Sequence, residues 1–490
     1  MPELSSQTNM NASIDHSAVL SSVASRASSP HTVAVVGSGI AGLTAAYRLQ
    51  QAGLQVTVFE GEQVVGGRMG DRKVGDIAFN SGARLVYPFG KAFNRLIADL
   101  SLGDVLVPLK NLTAQCVAPG GGRHTIELMP SARSLATPGL RLTERLAMIR
   151  HALQMRALKG RVDPDWATSA MDVDPAFDRL TLADFTRERI GPNVLKTMVE
   201  PVFRATRSFN PETLSALFYL TTVPHLIGED TVYTLKGGMG RVCAALAAQL
   251  TVRMGTRVTS IRRHHSDATQ PAMSLTLADG EVHRFDHIVC AVEGSLARQL
   301  VEAPLDAERA MLEHVRYNSL GVVHYGFAGP LPPVMDFATR DTPSRIATYQ
   351  QLPAAPAQGR PLTQIYCQLT PEAAEEAQAR GLTGELDVLL RDELRQRIPD
   401  FDAQVVSVVN QWIPRKLPVF SPGYGARLQA FWQWQESPAR ALDRPLVYCG
   451  DWTAQALLTG ACASGERAAQ IVLQRVVNQA PVRASVPAKN

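Results

Sequence analysis

The most informative stretch of the chain is Thr32-Val-Ala-Val-Val-Gly37-Ser-Gly39-Ile-Ala-Gly42, an apolar run followed by three glycines with the spacing G-x-G-x-x-G. A helical pattern continues to Gln51, and a second apolar run over 55–59 ends at Glu60, about 20 residues after the glycines. This order of strand, glycine turn, helix, strand and acid is typical of a dinucleotide-binding βαβ unit. The sequence therefore predicts a Rossmann-type nucleotide-binding domain at this point.

Each residue type in the motif has a physical role. Gly37 permits the tight turn, Gly39 lets backbone amides approach a pyrophosphate, and Gly42 allows the helix to pack closely on the strand. The N-terminus of the helix presents free N–H groups and a positive dipole end to the phosphates. We expect Glu60 to accept hydrogen bonds from ribose hydroxyls and to repel a 2′-phosphate.

Composition excludes several classes of protein. The 490 residues carry 49 Lys and Arg against 45 Asp and Glu, a net charge of +4 that predicts no nucleic-acid partner. Hydrophobic residues make up 45% and charged residues 19%, as in a globular protein with a large core. The longest uncharged apolar-rich stretch, 32–47, is glycine-interrupted and too short for a membrane span. The six cysteines form no C-x-x-C pair, so we predict no metal site, no disulfide framework and a cytoplasmic location.

The distribution of apolar runs indicates how the domains are built. Strand-like runs beside glycines recur at 32–59, 258–292 and 445–449, as in a parallel sheet covered on both faces. We predict an α/β protein whose nucleotide-binding domain is assembled from three chain segments, with an α+β substrate domain inserted between them. The predicted parts are a disordered N-terminal segment 1–31, a nucleotide-binding domain 32–90, 225–300 and 425–478, a substrate-binding domain 91–224 and 301–424, and a C-terminal tail 479–490.

Further motifs follow in order along the chain: Gly66-Gly67-Arg68, Phe79-Asn-Ser-Gly82-Ala83-Arg84, Leu235-Lys-Gly-Gly-Met-Gly-Arg241, the strand Phe285–Val292, Tyr448-Cys-Gly-Asp451-Trp-Thr453 and Thr459-Gly460-Ala461. With them the chain resembles the flavin-containing amine oxidase superfamily, on the side of the protoporphyrinogen oxidases and phytoene desaturases. Two positions depart from the family pattern. Asn80 stands where an acid is usual, and Glu293-Gly294 replaces the usual proline.

The resemblance implies a noncovalently bound FAD, because no residue is placed as a flavin tether and Cys462 lies within the closing helix motif. Asp451 would accept a hydrogen bond from a ribityl hydroxyl, and the helix opened by Gly460 and Ala461 would stabilise negative charge on the flavin. The predicted cofactor-binding residues are Gly37, Gly39, Ile40, Ala41, Gly42, Glu60, Gly67, Arg68, Gly82, Ala83, Arg84, Val258, Asp451, Gly460 and Ala461.

The resemblance also implies the class of reaction, an oxidoreductase or desaturase reaction. A hydride leaves carbon next to nitrogen or another carbon of a small to medium organic substrate, such as an amine or a pyrroline-like ring, and a C=N or C=C bond remains. A single dinucleotide fingerprint leaves no second NAD(P)H module, so oxygen, a quinone or a protein would reoxidise the flavin.

Two other functions stay open at this point. One is a membrane-associated desaturase or oxidase of a tetrapyrrole or isoprenoid, because the basic segment 141–159 carries an apolar stripe that a bilayer would accept. The stripe comprises Leu142, Leu146, Ile149 and Leu153, and we favour an ordinary core-facing helix over peripheral membrane contact. The other is a flavin-binding protein without turnover.

The candidate catalytic residues lie in the β-rich run 317–327. In monoamine oxidases a strand at this place carries a lysine beside the flavin, whereas here the polar candidates are His324 and Tyr325. Strand alternation places these two side chains on opposite faces, so only one can face the pocket. An imidazole with a pKa near neutrality would accept a substrate proton.

Overall fold

A computed structural model describes residues 31–264, 271–357, 360–437 and 445–483. Nearly all of the predicted disordered segment 1–31 lies outside the described residues, as do residues 484–490 of the predicted tail. The C-terminal helix continues through Arg483, whereas the sequence suggested that ordered structure ends at 478.

The strands of the described residues are β1 Thr32–Val36, β2 Gln55–Phe59, β3 Asp71–Val74, β4 Ile77–Asn80, β5 Leu106–Lys110, β6 Thr113–Val117, β7 Arg123–Glu127, β8 Thr231–Leu235, β9 Thr251–Arg253, β10 Val258–Arg263, β11 Met273–Leu277, β12 Val282–Phe285, β13 His287–Cys290, β14 Leu320–Phe327, β15 Met335–Ala338, β16 Ile346–Ala357, β17 Arg360–Leu369, β18 Val405–Ile413 and β19 Leu446–Tyr448.

The α-helices of the described residues are α1 Ile40–Gln51, α2 Lys91–Asp99, α3 Leu142–Leu158, α4 Leu182–Arg189, α5 Pro192–Val194, α6 Glu200–Arg207, α7 Leu217–Leu226, α8 Gly240–Ala247, α9 Gly294–Leu300, α10 Asp306–Leu312, α11 Pro371–Ala379, α12 Arg391–Arg397, α13 Phe401–Gln404, α14 Tyr424–Glu436 and α15 Leu458–Arg483.

A parallel five-stranded sheet with the order β19-β13-β1-β2-β9 forms the centre of the nucleotide-binding half. Its central strand β1 is buried along almost its whole length, because a continuous Val-Ala-Val-Val run meets helices on both faces. The sheet takes its strands from three separated parts of the chain. The predicted Rossmann-type fold built from three segments is therefore confirmed.

The inserted half is built on a seven-stranded sheet with the order β18-β14-β17-β16-β15-β6-β7, antiparallel except where β15 pairs with β6. Both inserted segments contribute strands to it, together with helices, which agrees with the predicted α+β insertion. A second hydrophobic core lies between one face of this sheet and the segment that contains α11, α12 and α13. One small ladder crosses the predicted boundaries, because β5 of the first insertion pairs with β8.

The prediction that the apolar stripe of α3 faces the core is wrong. Leu142, Leu146, Ile149 and Leu153 are 74%, 58%, 45% and 64% exposed. The opposite face of α3 is buried instead, and it carries Glu144, His151, Met155 and Leu158. The helix itself forms over the predicted range, so the periodicity located the helix but not the face that it buries.

Two further findings concern the described residues as a whole. None of their helices combines the length and apolarity needed to cross a bilayer. Their histidine, cysteine and carboxylate side chains include no cluster with the grouping of a metal site.

Candidate active site

The glycine turn between β1 and α1 forms a cradle. Gly37 has a φ of +103°, which favours glycine, and its N–H donates to the carbonyl of Phe59 at 2.9 Å. A Cβ at Gly42 would lie 2.1 Å from the Gly37 carbonyl oxygen, so any other residue would push the helix off the turn. A Cβ at Gly39 would meet nothing within 4 Å, because this glycine faces the open cleft. The cradle fits a pyrophosphate approached by backbone amides.

Glu60 lies at the end of β2 beside this turn. Its Oε2 accepts hydrogen bonds from the Ser38 N–H at 2.9 Å and the Ser38 hydroxyl at 2.5 Å. Its Oε1 accepts from the Glu62 N–H at 2.9 Å. Val258, at the start of β10, lines the same end of the cleft. The carboxylate therefore braces the glycine turn in addition to facing the position expected for a ribose.

An ion pair joins two distant cofactor motifs, Gly66–Arg68 and Tyr448–Thr453. The Arg68 guanidinium donates to the two Asp451 oxygens at 2.7 and 3.0 Å, and also to the Lys416 carbonyl at 2.7 Å. Burial of the pair works against the charge on Arg68, but the Asp451 carboxylate outweighs it and the pKa of Arg68 is raised. The pair holds together three segments that are far apart in sequence.

The remaining cofactor motifs pack closely around this pair. Gly82 leaves no room for a side chain, since a Cβ there would lie 2.6 Å from the Arg68 carbonyl oxygen, and the Ala83 N–H donates to that oxygen at 3.0 Å. Gly460 lies in the first turn of α15, where a Cβ would approach the Gln455 carbonyl oxygen to 2.3 Å. The free N–H groups of this turn suit an electron-rich ring edge.

One cavity of about 1550 Å³ contains these motifs. All the predicted cofactor-binding residues line it except Gly42 and Gly460, which are packed against backbone just beneath its surface. Ligand pockets for a single small molecule usually measure about 300–1,000 Å³, so this cavity has room for a dinucleotide and a second molecule.

The sequence model of the family described as flavin containing amine oxidoreductase matches residues 40–473. The chain belongs to this family. The cofactor is FAD, and the glycine cradle, Glu60, the Arg68–Asp451 pair and the first turn of α15 are the groups that would hold it.

Two curated relatives illustrate the range of the family. The chain is 23% identical over 288 residues to a Dictyostelium discoideum protein named "Probable flavin-containing monoamine oxidase A", a match that covers 56% of this chain and 60% of the relative. It is 26% identical over 185 residues to protoporphyrinogen oxidase 2, chloroplastic/mitochondrial, of Arabidopsis thaliana, covering 37% of this chain and 34% of the relative. Both matches span less than two thirds of the relative's length.

A solved structure supports the same fold over a longer range. A double mutant of putrescine oxidase superposes with a TM-score of 0.68 over 91% of this chain and 99% of that chain, at 17% identity. At this identity the likeness concerns the fold.

The cavity continues from the cofactor motifs into the inserted half, where we call it the substrate chamber. Its wall is mostly apolar and comes from α3, α6, α7 and β17, with a few polar side chains among aromatic and aliphatic ones. Among the residues that line it are Met148, Val202, Phe203, Phe218, Tyr366 and Gln368. A water-poor chamber next to the cofactor suits hydride transfer.

The candidate catalytic role of His324 is not supported by its position. The side chain is buried, stacks on Phe79 with 4.7 Å between ring centroids, and does not line the cavity. Its Nε2 lies 3.0 Å from Gln411 Oε1 and its Nδ1 lies 3.3 Å from Gln364 Nε2, so a neutral ring satisfies both amides. Burial lowers the pKa of His324 to about 4. The expectation of a pKa near neutrality is therefore wrong.

Tyr325 lies on the opposite face of β14, as strand alternation predicted. It packs against Phe401 in the second core, with 5.5 Å between ring centroids, and it does not line the cavity. Only apolar packing holds this ring. The position of Tyr325 therefore does not support the catalytic role that the sequence predicted for it.

Arg84 lines the cavity as predicted, but its side chain extends towards the inserted half. The guanidinium lies 4.2 Å from the centroid of the Tyr366 ring and donates to Gln350 Oε1 at 3.3 Å. Arg84, which the sequence predicted to bind the cofactor, thus places its guanidinium group in the wall of the substrate chamber.

Several polar residues of the chamber were missed by sequence reasoning. They are Tyr87, His151, Arg207, Tyr219 and Lys416. His151 and Tyr219 form a buried hydrogen bond of 2.9 Å, and burial lowers the pKa of His151 to about 4. The helical pattern of 141–159 places His151 opposite the leucine stripe, where a polar side chain is ordinary, so the pattern contained no signal for it.

Proposed function

We propose that this protein is an FAD-dependent oxidoreductase that removes a hydride from carbon in a small to medium organic substrate. The observation that carries the proposal is the continuity of the cavity, which runs from the cofactor motifs into the apolar substrate chamber. Relatives named for monoamines and for protoporphyrinogen support oxidation of C–N or C–C bonds.

In the proposed reaction the flavin supplies the two-electron acceptor. The substrate carbon loses a hydride, a proton leaves the neighbouring nitrogen or carbon, and a C=N or C=C bond remains. The residues of the chamber orient the substrate and exclude water, and the Arg68–Asp451 pair fixes the segments that would hold the cofactor beside it. Oxygen, a quinone or a protein then takes up the electrons, and we propose no choice among them.

The test is an anaerobic screen of candidate donors against the flavin absorbance of the purified holoprotein. Loss of that absorbance with an amine, an amino acid, a pyrroline or a porphyrinogen, and its return on admission of air or a quinone, is the expected result. A flavin that no donor reduces would indicate a flavin-binding protein without turnover.

The exposed stripe of α3 favours a second candidate, in which the enzyme works while attached to an anionic membrane. Arg145, Arg150 and Arg156 flank the stripe, and among the described residues none of them forms an ion pair with a carboxylate. Ile149 and Leu153 of the stripe also line the cavity, so the attached face would lie beside an entrance for an apolar substrate.

Cosedimentation with vesicles tests this second candidate. The holoprotein should bind vesicles that contain phosphatidylserine and lose at least 10-fold in binding when Leu142, Leu146, Ile149 and Leu153 are all changed to Ser. The control is a variant in which the exposed Val388 and Val406, which are far from α3 in sequence, are both changed to Ser. Equal binding by both variants, or none by the wild type, would reject the membrane-attached form.

We also propose a cytoplasmic location. All six cysteines are buried as free thiols, which suits a reducing compartment. The test is to isolate active protein from the cytoplasmic fraction of its cells and to count its free thiols by alkylation under denaturing conditions. Six free thiols would support the proposal, and active protein found only in another fraction would contradict it.

A further inference from the structure

Two cations of the substrate chamber lie at the end of α6. Lys416 is only 9% exposed, and its Nζ donates to the Ser208 hydroxyl at 3.1 Å and the Thr206 carbonyl at 3.3 Å. Arg207 lies between these two partners in the chain, and its guanidinium carbon is 4.6 Å from the centroid of the Phe218 ring. Both cations line the cavity.

A third cation faces them from the cofactor side. Arg84 lies over the Tyr366 ring, and the Tyr366 hydroxyl donates to Gln368 Oε1 at 3.0 Å. Gln368 Nε2 in turn donates to the Ser208 hydroxyl at 3.2 Å, the same oxygen that Lys416 contacts. The three cations therefore belong to one connected wall of the chamber, which we call the cationic wall.

No carboxylate of the described residues forms an ion pair with Arg84, Arg207 or Lys416. The carboxylates that line the same cavity all have other partners: Glu60 with Ser38, Glu62 with Arg257, Glu127 with Ser131 and Ser134, Glu293 with Arg415, and Asp451 with Arg68. Three basic side chains thus line one mostly apolar cavity, and no carboxylate of the described residues pairs with them.

Such an arrangement is unfavourable in the empty protein. Burial, and then the charges of Arg84 and Arg207, hold the pKa of Lys416 well below its usual range. Burial likewise lowers the pKa of Arg207. Unpaired buried charges are strongly destabilising unless a ligand supplies the opposite charge.

We infer that the substrate carries a carboxylate, and that Arg84, Arg207 and Lys416 receive it while the adjoining carbon faces the flavin. The inference rests on the proposed function and specifies its substrate class. An ammonium ion without an acid group would be repelled by the cationic wall, whereas a carboxylate can accept paired hydrogen bonds from a guanidinium. An amino or imino acid, or a larger molecule with carboxylate side chains, has this chemistry.

The test measures binding without turnover, by calorimetry on the oxidised holoprotein. The probes are 3-phenylpropionate, 3-phenylpropanamide and 3-phenylpropylamine, which share a shape and differ in charge. We expect the carboxylate to bind at least 10-fold more tightly than the amide, and the amine to bind least. Arg207→Gln and Lys416→Met should each weaken binding of the carboxylate by about 10- to 100-fold and leave the amide unchanged.

Arg156→Gln is the matched control, because it removes a positive charge that lines the cavity from α3 but lies outside the cationic wall. Absorbance of the bound flavin confirms that each variant is folded. No binding of 3-phenylpropionate, equal binding of carboxylate and amide, or equal losses in the control would overturn the inference. Reduction of the flavin by donors that lack an acid group, without selectivity for carboxylates, would leave the proposed function intact. Selectivity for carboxylates without reduction by any donor would count against the proposed function alone.

Discussion

The Glu60 carboxylate has two tasks, since it faces the cleft and also holds the Ser38 N–H and hydroxyl. Glu60→Ala removes charge-assisted hydrogen bonds that are worth roughly 1.5–3 kcal/mol each. We expect the dissociation constant of FAD, measured by fluorescence titration of the apoprotein, to rise by about 10- to 100-fold. Glu62→Ala, which removes an exposed carboxylate two residues away, is the control. A similar loss in both variants would show that net charge matters and not the position of Glu60.

A second prediction at this scale concerns His324. Its pKa of about 4 leaves the imidazole neutral from pH 5.5 to 9, and both nitrogens already have partners. His324→Gln should therefore leave the shape of the profile of kcat against pH unchanged over that range. The wild-type enzyme measured in the same buffers is the reference. Loss of an ionisation near pH 6.5 in the variant would contradict the prediction.

The cofactor motifs could be located in the sequence because the chemistry of each motif is local, and most of their predicted residues line one cavity. The cationic wall could not be predicted, because its residues come from three distant segments. Arg84 belongs to a motif that was assigned to the cofactor, and Arg207 and Lys416 belong to none of the motifs. His324 and Tyr325 were assigned to opposite faces of β14 correctly. Strand alternation does not show, however, whether other side chains lie between such a face and the cavity. In this case Phe79 and Tyr366 lie in the layer next to His324.

At the scale of single elements, helix α3 also shows that a sequence pattern can locate an element without showing which of its faces is buried. A period of 3.6 residues predicted the helix, but the buried face was chosen by the polar contacts of Glu144. Its carboxylate accepts from the N–H groups of Arg141 and Asn193, each at 2.9 Å, and these bonds fix the rotation of the helix. A sequence pattern ranks faces by hydrophobicity and contains no information on such distant partners.

Asp165 connects two other elements and makes stability depend on pH. Its carboxylate accepts from the Ala92 N–H at 2.8 Å at the start of α2, and from the Thr459 hydroxyl at the start of α15. Burial raises the pKa of Asp165 to about 6, although these hydrogen bonds oppose the shift. The folded state therefore binds a proton between about pH 4 and 6 that the unfolded state has released, so this group contributes less stability as pH rises.

The substitution Asp165→Asn tests this linkage. The variant loses one hydrogen-bond acceptor, which changes its free energy of unfolding by the same amount at every pH. Because only the wild type loses stability as Asp165 ionises, the free energy of unfolding of the variant minus that of the wild type should increase by on the order of 2–3 kcal/mol between pH 4 and 7, measured by denaturant titration. Asp104→Asn, at an exposed carboxylate that makes none of the contacts of Asp165, is the control. A difference that does not change with pH would contradict the raised pKa.

At the scale of the whole molecule, FAD would contact residues 37–84 and 451–461, two segments that the Arg68–Asp451 pair already brings together. A ligand that binds only the folded state stabilises it by RT ln(1 + [L]/Kd), about 4 kcal/mol at 1,000 times Kd. We expect FAD to raise the Tm of the deflavinated protein by several degrees in a concentration-dependent manner. FMN, which lacks the adenosine half that Glu60 faces, should raise it far less. Equal shifts with both flavins would contradict the assignment of the glycine cradle.

The three-segment sheet also has a consequence for biosynthesis. Strand β1 leaves the ribosome early, but its neighbour β13 gains its other partner, β19, only after Leu446 has emerged. At 5–20 residues per second, the roughly 155 residues between β13 and β19 take about 8 to 30 s to synthesise. Throughout that interval the apolar edge of β13 is unpaired in the nascent chain and open to aggregation, so folding in the cell should depend on chaperones that shield this edge until translation reaches the last strand.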